Sequence, residues 1–551
     1  VSGVLVLICS FSMLVPVNVR AAVTEEQGAP VGETQAAAAG DAATDAGAQA
    51  VPAGETQAGS ESETQAVAVT EHQGNSSGEP RNGFLGAFEI NGYLRHYMSF
   101  NLQDVPETKG DDRFKMSMNR LSLLLQLKGP LGPANFTAIG RFSREQMTNY
   151  LRDLQNLART TSNDVDFSSH YDENELREFY LDIPVGERIK LRLGKQQVVW
   201  GETDFFQAMD VVHGYDQSWR SFLEPENEEW RKPLILGNAQ IAVPELKGTL
   251  QLLVRPGFDR DRDIGNTFDM FGGRWAQNGS KGFDLNSTNR PAGLPPTVPS
   301  LPFNFHHPEG DTDKAHYGGR WTGTLGKNDD LSYSLNYYHT QAQNPVLFPD
   351  ASTAGNFGLS FIYPKIDIYG GTLSGKIPID VLDTVFRAEA AYIPDQPYNN
   401  ATFGVVKKDI LRSMFGLDTN LRLEEILGTC NASMLSLQVF DTYILDHQGS
   451  DQIMNAFGTR EKEHTTWMTG IFTLPYRSDT IKGQLVAVQD LSSNGGVFVP
   501  SVEFQIGAHW RLKVEADLFY GGKRSDAGNN ASIFGSFANN DQFYTRLTYQ
   551  F

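Results

Sequence analysis

The feature that most constrains this chain is a two-residue rhythm of apolar and polar side chains held over unusually long segments. In Trp510–Tyr520 one parity carries Trp510, Leu512, Val514, Ala516, Leu518 and Tyr520, and the other Arg511, Lys513, Glu515, Asp517 and Phe519. Leu331, Tyr333, Leu335 and Tyr337 alternate with Ser332, Ser334, Asn336 and Tyr338, and Phe386, Ala388, Ala390 and Tyr392 flank Arg387 and Glu389. Successive side chains of a strand point to opposite faces, so each segment reads as a strand with one greasy and one polar face. A soluble sandwich alternates too, but its strands average about 5–6 residues. These run to about 10–14, and a tilted strand crossing an outer membrane needs about 9–11. An open sheet edge in lipid would leave amides unpaired, so the sheet must close on itself.

Strands are expected near 88–101, 115–128, 134–146, 174–183, 188–199, 234–243, 247–256, 315–326, 330–341, 360–377, 384–394, 407–420, 432–446, 464–474, 480–491, 497–506, 509–521 and 541–551, and their spacing supports this reading. The gaps Gly129–Gly132, Pro184–Glu187, Pro244–Leu246 and Lys327–Asp329 have turn length, whereas those after the third, fifth and seventh segments run to tens of residues. Short periplasmic turns opposite long outer loops are the habit of outer-membrane barrels. The fold class is therefore all-β: a transmembrane antiparallel β-barrel of about 18 strands (16–20), with an inward-folded loop and a disordered N-terminal segment. Two cysteines, Cys9 and Cys430, exclude a disulfide framework and a cysteine metal cage, and pI ≈ 5.0 argues against nucleic acid as a partner.

Residues 1–21 are expected to be a signal peptide: an apolar run ending at Val19-Arg20-Ala21, with small residues placed as at a cleavage site. Residues 22–83 hold no aromatic residue and ten acids against Arg81 alone; they are expected to form a disordered acidic low-complexity tether. The barrel is assigned to 84–551.

If the apolar parity faces lipid, the other parity lines the lumen. That places Arg188, Lys190, Arg192, Arg387, Glu389, Arg511, Lys513, Glu515 and Asp517 inside, with Arg546. Cross-strand pairing for stability alone would account for many of these charges. Lys195 breaks the rhythm, falling on the parity of Ile189, Leu191 and Leu193, which signals a bulge or the exit of the strand. The loop that follows, Gly201–Pro233, mixes Glu202, Asp204, Asp210, His213, Asp216, Arg220, Glu224, Glu226, Glu228, Glu229 and Arg231 with six aromatic residues. A solvated loop rarely carries so many rings, so it is expected to fold inward and narrow the pore. The terminal run Phe543, Leu547, Tyr549, Phe551 is the pattern of an assembly signal read by the barrel-assembly machinery, Tyr549 and Phe551 being its key positions.

The run Gly194-Lys195-Gln196 through Val199-Trp200-Gly201-Glu202-Thr203-Asp204-Phe205-Phe206 resembles the signature of a proteobacterial family known as domain of unknown function 1302. Members typically carry Arg-Leu-Gly-Arg-Gln and then Val-x-Trp-Gly-Glu-Ser/Thr; here Lys195 replaces the second Arg. The family's usual Asn-Pro-x-Asp element is replaced by Met209-Asp210-Val211-Val212. The resemblance implies an outer-membrane barrel working beside a periplasmic lipid-carrier-like protein and an inner-membrane efflux-type transporter. It singles out Lys195, Trp200, Gly201 and Glu202 without giving them a role.

Asp259-x-Asp261-x-Asp263 resembles the start of a calcium loop, but Ile264 and Met270 stand where Gly and Glu are required. No cofactor or metal is expected, and no covalent chemistry. The expected function is an outer-membrane channel for hydrophobic or lipid-like solutes, working with periplasmic partners. The alternatives are a substrate-selective porin for small polar solutes, and a barrel used as an anchor or enzyme.

Overall fold

The computed structural model describes residues 88–104, 108, 110–160, 166–204, 206–224, 226–260, 263–269, 273–275, 303–305, 315–326, 329–350, 358–378, 383–401, 404–455, 460–521 and 532–551. The expected signal peptide and tether lie outside the described residues. Among the described residues, the alternating segments form a closed barrel of 18 antiparallel strands. They are β1 Glu89–Asn101, β2 Met116–Leu131, β3 Ala134–Glu145, β4 Glu173–Val185, β5 Ile189–Gln196 and β6 Leu234–Val243. Next come β7 Gly248–Arg255, β8 His316–Leu325, β9 Leu331–Gln341, β10 Lys365–Lys376, β11 Asp383–Asn400 and β12 Val405–Leu421. The circuit ends with β13 Ser433–Ile444, β14 His464–Tyr476, β15 Ile481–Asp490, β16 Gly495–Ile506, β17 Trp510–Gly521 and β18 Gln542–Gln550. Each strand pairs with the next, and β18 closes on β1 from Tyr93↔Gln550 to Asn101↔Gln542. The seam continues to Phe551, whose backbone exchanges two 3.1 Å hydrogen bonds with Gly92.

The expected strand positions hold, with local differences that have physical causes. The segment expected at 360–377 begins only at Lys365, because Pro364 has no N–H to give the ladder. The segment expected at 188–199 ends at Gln196. Gly194, at φ 129°, adopts a conformation open to glycine, but both ladders of β5 run through it without a register shift, so the break in rhythm at Lys195 marks the approaching strand exit and not a bulge. Short connections gather at one end of the barrel with the first residue of β1 and the last of β18. At the other end 146–172, 197–233 and 256–315 are long, although β11–β12 and β15–β16 close there with tight turns. The 146–172 connection holds a helix not anticipated from the rhythm, α1 Asn149–Thr160. Its Thr148 hydroxyl accepts the Leu151 N–H at 3.1 Å, and Tyr150, Leu151 and Leu154 pack on Tyr97 and Tyr544 inside the barrel.

The outward parity is apolar and uncovered: Leu94, Leu193, Leu335, Phe415, Leu437 and Leu485 are exposed. Tyr337, Tyr369 and Tyr392 stand opposite one another on β9, β10 and β11 towards the loop end, and Trp510 meets Tyr549 at 4.9 Å towards the turn end. Two aromatic rows around an apolar band are what a barrel seated in hydrocarbon presents. Leu335 lies between the rows, so Leu335→Arg is expected to cost about 2–4 kcal/mol of folding free energy in lipid vesicles, read by denaturant titration. A cost near zero would mean that hydrocarbon does not touch this face.

Candidate functional site

Segment 197–233 leaves β5 and returns to β6, whose ends pair directly as Gln196↔Leu234, and in between it crosses the lumen. It first meets the β7–β9 wall. Trp200 is fully buried, donates its Nε1–H to Gln251 Oε1 at 2.9 Å and sets its ring edge-on to Tyr338 at 5.4 Å. Arg320 of β8 donates to the Val199 carbonyl at 3.0 Å. The chain then reaches β11. Glu389 accepts the backbone N–H groups of Glu202 and Met209, the latter at 2.7 Å, and Arg387 bridges Asp204 to Asp418. Gln438 of β13 donates to Asp204 at 2.6 Å, and Thr372 of β10 donates to Glu202 at 3.1 Å. Gly201 allows the fold-back: a Cβ there would stand 2.8 Å from the Asp210 backbone nitrogen.

The segment turns back on a buried knot. Asp210 takes a 2.5 Å ion pair from Arg231 and a 2.5 Å hydrogen bond from the Tyr215 hydroxyl. His213 Nε2 accepts the Val198 N–H at 2.8 Å, which leaves Nδ1 protonated and donating to the Lys232 carbonyl at 2.9 Å. Asp216 turns its carboxylate to Ser218 and to Thr267 of the 256–315 connection, which runs alongside in a short parallel pairing.

The rest of the segment lies on the opposite wall. Arg220 is buried over the Tyr544 ring at 3.7 Å and pairs with Glu515 and with Asp517 at 3.6 Å, both on β17. Lys513 adds a 2.7 Å pair to Glu515. Phe222 enters an apolar sector made by Val486, Val488, Val497, Val499 and Phe519 of β15–β17. Arg546 of β18 grips both oxygens of Glu226, at 2.8 and 3.1 Å. Glu229, at the single helical turn Asn227–Trp230, takes Arg95 at 2.8 Å, the Tyr93 hydroxyl at 2.9 Å and Arg141 at 3.4 Å. Arg177 of β4 donates to the carbonyls of Glu228 and Arg231 at 2.6 and 2.8 Å. One connection is thus fastened to β1, β3 and β4, to β7 and β8, to β10, β11 and β13, and to β17 and β18.

Of the residues singled out from sequence, Trp200, Gly201, Glu202, Asp204, Asp210, His213, Asp216 and Arg220 all lie in this inward segment, and Arg387, Glu389, Lys513, Glu515 and Asp517 face it or support it from the wall. Lys195 does not join them. It is the last residue but one of β5 and pairs with Asp263 of the neighbouring connection at 3.3 Å and Glu175 at 3.7 Å. Arg192 grips Asp182 on the lumen face at 2.7 and 3.0 Å, while Lys190 is half-exposed near the turn end. Arg511 stays on the wall with Glu503 at 3.5 Å. Arg188 is not in the lumen. It sits in the β4–β5 turn, 58% exposed and paired with Glu245, because parity says nothing about where a strand stops. Tyr549 and Phe551 face outward at the seam. Arg95 and Arg141 were not singled out, although each falls on the polar parity of its strand.

Charge in the segment follows burial and neighbours. Burial, aided by Arg231, holds the His213 imidazole down to about 3. Burial and the adjacent Glu226 push Glu224 up to about 7, whereas Glu226 stays ionised because Arg546 outweighs its burial. Burial works against an ionised Glu229 as well, yet Arg95 and Arg141 keep it below the usual range. The His213 shift makes docking pH-dependent. A folded-state value below the free value of 6.5 gives stability that is whole above 6.5 and falls as pH drops towards 3. Between pH 6.5 and 5 the wild type should lose about 2 kcal/mol of docking relative to His213→Gln, which keeps an acceptor and a donor but takes no proton. Hydrogen exchange of the 209–216 amides, corrected for intrinsic rates, reads that difference. Comparing the two proteins removes the opposing titration of Glu224.

A family model described as "Protein of unknown function (DUF1302)" matches residues 34–233 and 257–551. None of the curated proteins matches the chain significantly. Among solved structures, Pseudomonas aeruginosa OpdK with vanillate is similar at 10% identity and TM-score 0.42, covering 85% of this chain and 100% of its own. Salmonella typhi OmpF in complex with daunomycin is similar at 8% identity and TM-score 0.39, over 84% and 97% of the two chains. A mutant Rh. blastica porin is similar at 10% identity and TM-score 0.33, over 84% and 100%.

Proposed function

The chain belongs to the DUF1302 family, whose members are described only as of unknown function, and from that premise we propose that it is a gated channel of the bacterial outer membrane. The observation that carries the reading is the fastening of segment 197–233 to opposite walls of a barrel wide enough to hold an aqueous path. A segment held by many buried ion pairs and hydrogen bonds has two discrete positions, docked and released, and a solute passes in the second. Passage through a shaped lumen requires no bond to be made or broken.

The solute we infer is amphipathic. The wall vacated by the segment would offer an apolar sector on β15–β17 directly beside a charged sector on β18, β1 and β3. That juxtaposition favours a molecule with a greasy body and a polar end over a small, wholly polar one. A periplasmic carrier and an inner-membrane transporter acting with the channel belong to the same reading and rest on the family resemblance alone. Export through a cleaved signal peptide and delivery to the barrel-assembly machinery complete it.

Single-channel recording of the full-length protein in planar bilayers tests the proposal. Brief openings from a closed baseline are expected, since docking is the more stable state. A protein that never opens, with or without the segment, would overturn the channel reading.

A further inference from the structure

Two carboxylates of the inward segment sit in seats that plugging alone does not call for. Arg546 holds Glu226 through both guanidinium nitrogens, at 2.8 and 3.1 Å. Glu229 is held by Arg95 at 2.8 Å and by the Tyr93 hydroxyl at 2.9 Å, with Arg141 behind at 3.4 Å, and its side chain is 7% exposed. Buried ion pairs seldom stabilise more than apolar packing of the same volume, because each charge must first leave water. A segment that only had to block the lumen would be better served by leucine and phenylalanine. A forked, planar guanidinium is, however, the group suited to recognising a carboxylate. For the two arginines nearest the carboxylates the barrel supplies little: among the described residues Arg95 pairs with no acid of the wall, and Arg546 meets Glu503 at 3.7 Å, whereas Arg141 behind them already has Glu173 of β4 at 2.7 Å and Glu175 at 3.6 Å. The segment therefore supplies Arg95 and Arg546 with the close carboxylates that the wall does not give them.

Its apolar residues complete the likeness. Phe222 lies among Val497, Val499 and Phe519, four residues before Glu226, and Trp230 follows Glu229 directly. The stretch 222–230 thus sets a ring against the apolar sector and an acid against the arginines beside it. We propose that the Arg546 and Arg95–Tyr93–Arg141 seats are binding sites for the carboxylate of an amphipathic acid, and that segment 222–230 occupies them as the chain's own stand-in for that solute. This rests on the channel reading above and names its solute class. It also states how the gate responds. An acid that binds the seats competes with Glu226 and Glu229, and so favours the released segment by its difference in affinity for the two states.

The test records the full-length protein in planar bilayers with hexanoate as the probe and with equimolar chloride and hexylammonium as controls. Hexanoate is expected to raise the open fraction, and neither control to do so. Arg95→Gln/Arg546→Gln should raise the half-effective hexanoate concentration by about tenfold or more, the scale of losing a charge-assisted hydrogen bond at a binding site. Glu226→Gln/Glu229→Gln should raise the open fraction without any acid present, again by about tenfold. The wild-type arm depends on no variant folding. A wild type unmoved by hexanoate, one moved equally by chloride, or a response that survives loss of both arginines each overturns the assignment. If those failures come from a protein that conducts once the segment is removed, the channel reading stands and only the carboxylate seats fall. If the protein without the segment does not conduct either, the channel reading falls with them.

Discussion

Removing Gly201–Pro233 is expected to turn brief openings into a steady open channel, with time-averaged conductance up by more than about tenfold, since a barrel of this strand number leaves an aqueous path when nothing fills it. The change should be tolerated by the sheet. Gln196 and Leu234 already pair, and the four residues 197–200 are enough for a hairpin connection between them. None of the ladder bonds between neighbouring strands depends on the deleted residues. The variant should therefore still migrate as a folded, heat-modifiable barrel, and that migration is measured alongside the conductance. A folded variant that stays silent would overturn the channel reading.

Arg220→Ala is expected to be the most disruptive single change in the docked segment. It leaves Glu515 and Asp517 facing each other in the lumen wall with Lys513 as the remaining cation, and it empties the face of Tyr544. Stripping one partner from a buried ionic cluster costs about 3–5 kcal/mol, because the orphaned charge cannot return to water. Hydrogen exchange across residues 217–229 should rise accordingly, and the open fraction with it. Neutralising the rest of the cluster as well, in Arg220→Met/Lys513→Met/Glu515→Gln/Asp517→Asn, should recover most of the loss. Arg188→Ala is the contrast: its pair with Glu245 is 58% and 59% exposed, and loosening it should shift neither readout by more than about 0.5 kcal/mol. Equal effects from Arg220→Ala and Arg188→Ala would mean that burial does not set the strength of these pairs.

The barrel was legible in the sequence because lipid imposes one simple rule. Each residue of Trp510–Tyr520 must be suited to hydrocarbon or to the lumen, and the rule repeats around the wall. The inward fold of 201–233 was legible for a related reason, since six rings cannot remain in water. The partners within the lumen were not. Arg95 and Glu229 stand 134 positions apart, and which wall residue meets which loop residue depends on strand tilt and on the path of an irregular segment, neither of which leaves a periodic trace. Lys195 shows the limit at one residue. Its broken parity was visible, but its actual partner, Asp263, lies on a different connection. Helix α1 escaped for the opposite reason: its apolar spacing is brief and belongs to the interior of a barrel, where no second face need be read.

The inward segment is covalently continuous with the wall only at the neighbouring ends of β5 and β6, which pair with each other. It is a stopper leashed at one point of the rim. Pulling it free breaks only contacts of the leash and the stopper, and leaves every stave of the cask in place. On the gated-channel reading, substitutions on the stopper therefore reset how readily the vessel empties without touching its durability, and the two properties are free to evolve separately.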